Sequence, residues 1–419
     1  MPTLQPVRGT QDLLPLQMRR HRAVTETARV VAARYGFEEM ATPIFEFTEV
    51  FQKPIGETSD IVSKEMYSFA DRGGEHITLR PENTAGVVRA VLSNGLTQMA
   101  PLKFFYSGPM FRYERPQKGR FRQFHQIGVE LIGVTQPQAD VEVIAAGARI
   151  LDELGILGRT ELELNTLGDG ETRRRYREQL VAYYTKFRDR LSEDSLRRLE
   201  TNPLRILDSK DPGDIAINAD APEFHRHLNA ESSEFFDAVR RGLDALGIAY
   251  RINPRLVRGL DYYTHTAFEF VTRDLGSQGT VLGGGRYDGL VGLMGGPEMA
   301  GVGWAAGIER LAMLIEEPAV TERPIAIIPV GDAAEPTALR LAEDLRRSGF
   351  SVDQGYSGNL GKRMKRANKV AARFAILFGD DELARGVVTL RDLDAGTQDE
   401  VPLAEVGDRL ARDRSAQPR

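Results

Sequence analysis

The spacing of apolar positions changes character several times along the chain. Over residues 18–35 they recur at helical intervals and stop at Gly36, a natural C-terminal breaker, so a helix is expected there. Residues 37–40 and 44–47 are short strand-like pieces interrupted by Pro43. Residues 102–134 read as two strands joined by a long basic loop. In the second of these, Gln126, Gly128 and Glu130 fall on one face and Ile127, Val129 and Leu131 on the other. The apolar face buries against a core. The other offers two polar heads separated by a glycine that leaves room for a ligand; it is either a binding floor or an exposed sheet face.

Further on, residues 139–154 are helical and apolar, whereas residues 169–249 are charged and helix-rich, with breakers at Pro203, Pro212 and Pro222. The latter stretch reads as containing an inserted helical module. Strand-like sequence resumes at 256–272 and 280–282, followed by Gly283, Gly284 and Gly285, and a helix is expected over 305–316. Beyond Pro318 and Pro324 a strand (325–330), helix (335–348), strand (351–353), helix (361–372) and strand (374–378) alternate. That order predicts a small α/β domain with a mostly parallel sheet.

Composition narrows the classes. A chain of 419 residues exceeds one ordinary core of roughly 100–200 residues, so two or three units are expected. The 41% hydrophobic and 27% charged content is that of a globular protein. With no cysteine, disulfides and thiolate metal sites are excluded; no zinc is expected, and a reducing cytosol fits. The first ten residues hold no apolar run, and no stretch approaches the ~20 apolar residues of a membrane span. The expectation is a cytoplasmic protein without a membrane partner. A net charge of −5 speaks against DNA packaging, and no DNA partner is expected. RNA binding depends on local patches, and two exist. Lys362, Arg363, Lys365, Arg366, Lys369 and Arg373 lie in an acid-free stretch; Arg112, Arg115, Lys118, Arg120 and Arg122 have only Glu114 among them. Either patch alone reads as a solvated face; together with a nucleotide site they point to RNA.

Several segments resemble one family. Arg258-Gly259-Leu260-Asp261-Tyr262-Tyr263, continuing to Thr266 and Phe268-Glu269, is similar to the histidine-binding motif of histidyl-tRNA synthetases. The run from Gly108 through Arg112 and Glu114 to Phe124-His125-Gln126 resembles class II synthetase motif 2, and Gly301 to Arg310 resembles motif 3. Arg8 to Pro15, Thr78 to Glu82 and Phe378 to Gly386 also match family segments. Together and in family order, these segments are specific where one alone is weak. The resemblance implies an α+β protein with a class II antiparallel-sheet catalytic domain over 1–322, a helical insertion at about 169–249, and an α/β anticodon-binding domain over 323–419. It implies ATP-dependent ligation of L-histidine to tRNA through histidyl-adenylate, by a homodimer whose interface includes the region of Pro43, with Mg²⁺ accompanying ATP.

The residue types suit that chemistry. Carboxylate attack on the ATP α-phosphate builds negative charge, and fixed guanidinium forks placed there lower the barrier. By resemblance Arg112 holds the α-phosphate, Arg258 acts at the reacting carboxylate–phosphate centre and Arg310 clamps the γ-phosphate; isolated arginines in salt bridges are the bland alternative. A neutral imidazole has one donor and one acceptor nitrogen, so its reader needs partners at both ends. Glu130 and the Tyr263 hydroxyl would supply them, although strict alternation from Arg258 favours Tyr262. Glu82, Thr84 and Gln126 would hold the α-amino group. The family usually has glycine where this chain has Asn83, a residue that tolerates left-handed backbone. In the motif 2 loop Arg115, Gln117, Lys118 and Arg120 would meet the tRNA acceptor end, and Lys362 and Arg366 the anticodon region.

Other signals fail. Gly301, Gly303 and Ala306 formally match a dinucleotide fingerprint, but Pro318 and Pro324 cut across the βαβ unit that it requires. No P-loop occurs. His225 and His227 read as a helical pair outside any metal site, His125 and His265 as packed histidines or pocket neighbours, and Trp304 as core. Two rivals remain: the regulatory subunit of ATP phosphoribosyltransferase, which lacks an anticodon-binding domain, and an RNA-binding or sensor protein that keeps the fold without aminoacylation.

Overall fold

Alternating polar and apolar residues in the middle third build the main sheet. The computed structural model describes residues 3–56, 59, 61–207, 209–257, 260, 262–276, 279–318 and 322–415, without the side chains of residues 225, 414 and 415. Arg258, Gly259 and Asp261 therefore lie outside the described residues. The chain divides into two compact units, Met1–Pro318 and Ala319–Arg419.

Among the described residues of the first unit eleven strands occur: β1 (Glu38–Glu39), β2 (Phe45–Phe47), β3 (Tyr67–Ala70), β4 (His76–Leu79), β5 (Leu102–Phe111), β6 (Gln123–Ile132), β7 (Glu161–Thr166), β8 (Arg251–Ile252), β9 (Thr264–Val271), β10 (Thr280–Arg286) and β11 (Gly301–Gly307). Eight form one sheet in the order β1-β5-β6-β11-β10-β9-β7-β8, antiparallel except at the two edge pairs, and β2-β4-β3 form a second. Ile127, Val129 and Leu131 bury their side chains with Val24, Ala28 and Val31 of helix Pro15–Arg34, Ile144 and Leu151 of helix Gln138–Glu153, and Val239 and Leu243 of helix Ala230–Ala245. The other face of the sheet is left to the site.

Three expectations change here. Strand β9 begins only at Thr264, and the described residues 256, 257, 260, 262 and 263 lie outside it, so alternation does not govern Tyr262 and Tyr263. The strand expected over 280–282 continues through the glycine run as β10, where a Cβ at Gly284 would overlap the Gly303 carbonyl, and one at Gly285 would meet the Thr266 carbonyl and the Tyr263 ring. Ala305 to Gly307 belong to β11, and the helix that follows is only Ile308–Leu314. The dinucleotide look-alike is thus the interior of an antiparallel strand.

The inserted module contains helices Gly170–Thr185, Glu193–Thr201 and Pro212–Asn218 around their own apolar cluster of Tyr176, Leu180, Tyr184, Leu199 and Phe224. Helices of this module begin on capping side chains: Asp169 accepts from the Thr172 amide (2.7 Å) and Ser192 from that of Ser195 (3.2 Å). Helix Ala230–Ala245, although within the stretch read as insertion, packs on the main core instead.

The second unit holds β12 (Ile325–Pro329), β13 (Val352–Gln354), β14 (Phe374–Phe378), β15 (Val387–Asp392) and β16 (Gln398–Pro402), in the order β13-β12-β14-β15-β16. Only β13-β12-β14 is parallel; β15 and β16 add an antiparallel half. The sheet is mixed rather than mostly parallel. Among the described residues no helix is long and apolar enough to cross a membrane.

Candidate active site

On the sheet face away from the helices lies a cleft of about 330 Å³, lined by Glu82, Thr84, Arg112, Gln126, Tyr262, Tyr263, Glu269 and Arg310, among others. Glu130 sits beneath one end. Its carboxylate is 1% exposed, with Oε1 accepting from Thr84 Oγ1 (2.7 Å) and Tyr106 OH (3.4 Å) and Oε2 from Tyr287 OH (2.5 Å). Burial pushes this carboxyl up to about 8, against the opposing pull of the Tyr287 and Thr84 hydroxyls. A Cβ at Gly303, on the neighbouring β11, would overlap Glu130 Oε2, and one at Gly301 would overlap the Tyr287 ring. Those two glycines exist to make room for an acid and a phenol. Gly128, in contrast, leaves no space for a ligand, because the Tyr106 ring fills it from the cross-strand position.

Glu82 is equally buried and caps the next helix, accepting the Thr84 (2.7 Å) and Ala85 (3.0 Å) amides, with the Tyr262 hydroxyl at 3.5 Å. Burial raises its pKa despite those amides. Tyr262 and Tyr263 both line the cleft, their rings 4.7 Å apart. Gln126 Oε1 is buried and has no hydrogen-bond partner among the described residues. The backbone of Asn83 is right-handed (φ −116°), so no left-handed turn is needed. Its Oδ1 instead accepts from Thr42 Oγ1 (2.7 Å) and Arg80 Nη1 (3.1 Å), tying the loop of Glu82 and Thr84 to the segment before Pro43.

The opposite end is cationic. Arg112 Nε donates to the Pro81 carbonyl (2.8 Å), and its guanidinium lies 5.4 Å from the centre of the Phe124 ring. Arg310 donates to the carbonyls of Gly119 (3.2 Å) and Thr280 (2.6 Å). Burial first, and then the charge of Arg120, lower the pKa of Arg310 from its usual value. The structure thus brings Arg112, Arg310, Glu82, Thr84, Gln126, Tyr262 and Tyr263 to one cleft, with Glu130 directly beneath.

In the motif 2 loop Arg115, Gln117 and Lys118 are exposed, while Arg120 turns back to pair with Glu114 (2.7 Å). On helix Leu360–Lys369, Lys362 is exposed, but Arg366 makes a two-pronged pair with Asp353 (2.8 and 2.7 Å) and Arg363 pairs with Glu335. The acid-free stretch therefore borrows counter-charge from its surroundings. Trp304 is core, its indole donating to the Val143 carbonyl (2.9 Å). His265 has φ +40° at the start of β9, and His227 is half-buried near Tyr176; the His225 side chain lies outside the described residues. Sequence reasoning passed over Tyr106, Tyr287 and Glu309. Strand pairing reveals Tyr106, and the fold beyond β10 reveals Tyr287, which follows Arg286 at the end of the glycine run.

Comparison with known proteins gives consistent results. Residues 9–311 match the family model described as histidyl-tRNA synthetase, and residues 324–413 match that of an anticodon binding domain. The histidine–tRNA ligase of Rhodospirillum rubrum is 62% identical over 98% of this chain and 100% of that protein, and that of Gluconacetobacter diazotrophicus 57% over 98% and 99%. Among solved structures, apo histidyl-tRNA synthetase of S. aureus superposes with a TM-score of 0.82 at 35% identity, covering 97% of this chain and 99% of that one.

Proposed function

The chain belongs to the histidyl-tRNA synthetase family, and from that premise we propose how its cleft performs the reaction. The protein is a histidine–tRNA ligase: it joins L-histidine to tRNA through histidyl-adenylate. A carboxylate oxygen of histidine attacks the α-phosphorus of ATP, the bond to the β-phosphate oxygen breaks and diphosphate leaves. A terminal tRNA hydroxyl then attacks the carbonyl, and AMP departs.

In this reading Gln126, Glu82 and Thr84 take the α-ammonium group, Glu130 and Tyr262 or Tyr263 the two imidazole nitrogens, Arg112 the α-phosphate and Arg310 the γ-phosphate. One observation carries it: the Gln126 amide oxygen is a buried acceptor with no donor among the described residues, beside the Glu82 and Glu130 carboxylates that amides and hydroxyls already satisfy, which calls for a ligand N–H. Arg258 would act at the reacting centre. Mg²⁺ would accompany ATP; Glu269 and Glu114 line the cleft and meet its preference for one or two carboxylates beside phosphate oxygens, and it would neutralise diphosphate charge. Arg115, Gln117, Lys118 and Arg120 would meet the acceptor end of tRNA, and Lys362 and Arg366 its anticodon region. The catalytic domain would span 1–322 and the anticodon-binding domain 323–419. Phe45, Phe47 and Phe69, each about half exposed on the three-stranded sheet next to Pro43, support a homodimer closed by a second copy. A cytoplasmic location, without zinc, completes the reading.

The test is exchange of labelled diphosphate into ATP with each of the twenty amino acids. Exchange dependent on histidine alone is expected; histidine binding without exchange would instead mark a regulatory paralogue. Against that rival stands the anticodon-domain match over 324–413.

A further inference from the structure

The last backbone pair between β6 and β11 is Gln126 with Gly307; beyond it β11 becomes helix Ile308–Leu314 and offers no strand carbonyl to His125. Glu309 supplies the missing acceptor with its side chain. Both carboxylate oxygens lie 3.0 Å from the His125 amide nitrogen, and Oε1 is 2.8 Å from His125 Nδ1. The carboxylate is 4% exposed. Nδ1 must carry the proton in this bond, which fixes the imidazole tautomer. His21, buried on helix Pro15–Arg34, packs edge-on against that ring with 5.5 Å between centroids.

The chain positions of the two clipped residues matter. His125 immediately precedes Gln126, whose amide oxygen awaits a donor, and Glu309 immediately precedes Arg310. We propose that the Glu309–His125 clip is a positioning device that locks the arm of the cleft reading the amino acid to the arm gripping the triphosphate. The proposal rests on the roles given above to Gln126 and Arg310. An antiparallel ladder ending at Gly307 leaves the strand-to-helix junction free to pivot, and three hydrogen bonds to one carboxylate remove that freedom. In-line attack tolerates little misalignment: an ångström can cost about 100-fold in rate.

The experiment compares the full-length enzyme with Glu309→Gln, His125→Ala, their double variant and Arg310→Ala by diphosphate exchange and thermal melting. Each clip variant should lower kcat by about 10–100-fold while the KM values for ATP and histidine stay within about threefold. The double variant should be no worse than the poorer single, since both break one device. Unchanged kcat in Glu309→Gln, with exchange lost in Arg310→Ala, overturns the clip and leaves the triphosphate reading standing. Full exchange in Arg310→Ala overturns that reading instead. Additive losses that track a falling melting temperature would reduce the clip to general stability and overturn it too. His21, His125 and Glu309 also bring three ligand atoms within 4.8 Å of one another. Zinc retained stoichiometrically after dialysis, and lost in His21→Ala, would replace the clip with a metal site.

Discussion

The two ends of the cleft solve opposite problems. At the Glu130 end, acids are sealed from water and met by hydroxyls and amides, so the pocket exists before any ligand arrives. At the Arg310 end, guanidinium groups are held by the neutral carbonyls of Pro81, Gly119 and Thr280, and Glu114 lies between Arg120 (2.7 Å) and Arg112 (3.9 Å). A carbonyl orients a cation without cancelling it. Discrimination of a small ring benefits from rigid, dry partners, because leaving such groups unpaired is costly. Stabilising charge that grows during reaction requires cations already fixed where that charge forms.

Substitutions at either end can break this contrast. The largest effect is expected at the cationic end: Arg112→Ala or Arg310→Ala should slow adenylate formation by about 100–1,000-fold, with histidine affinity by calorimetry little changed. Equal losses in both would merge the two ends into one binding surface. Next, Gly303→Ala forces a methyl onto Glu130 Oε2 and should cost about 1–3 kcal/mol in stability, and histidine affinity with it, while ATP binding survives. A wild-type melting curve for that variant would show that the dry end is not rigid.

A subtler effect concerns pH. Folded Glu130 keeps its proton up to about 8, whereas the unfolded chain releases it near 4.5, so the folded state binds more protons between those values. Stability of the ligand-free enzyme should therefore fall as pH rises through that window, and Glu130→Gln should flatten the slope. A slope unchanged in the variant would locate the effect elsewhere. The smallest change is expected outside the cleft altogether. Lys362→Ala with Arg366→Ala should weaken tRNA binding and reduce its salt slope by about one, leaving exchange intact. Arg366 is already committed to Asp353, so Lys362 should carry most of that loss.

Local patterns carried much of this arrangement. The alternation in residues 126–131 places the buried face correctly, and the motifs name Glu82, Thr84, Arg112, Gln126, Tyr262, Tyr263 and Arg310, which line one cleft, but not Glu309. Tyr106 reaches Glu130 from the paired strand β5 and Tyr287 from just beyond the end of β10, across sequence gaps of 24 and 157 residues that no local period encodes. The glycines of β10 and β11 are silent for a related reason. Their spacing excludes a nucleotide loop, but only the atoms of neighbouring strands show what space they leave. The C-terminal sheet was read as parallel because its strand–helix alternation stops at Phe378, and β15 and β16 form an antiparallel pair after it.

The bond from Arg310 Nε to the Gly119 carbonyl has a consequence for the segment it holds. On the reading that Arg310 grips ATP, a γ-phosphate competes for the same N–H that tethers the tip of the motif 2 loop. Nucleotide entry would then loosen the backbone tether beside Lys118, whose side chain is exposed in either case. One guanidinium would thus link the resting position of the loop to occupancy of the triphosphate site.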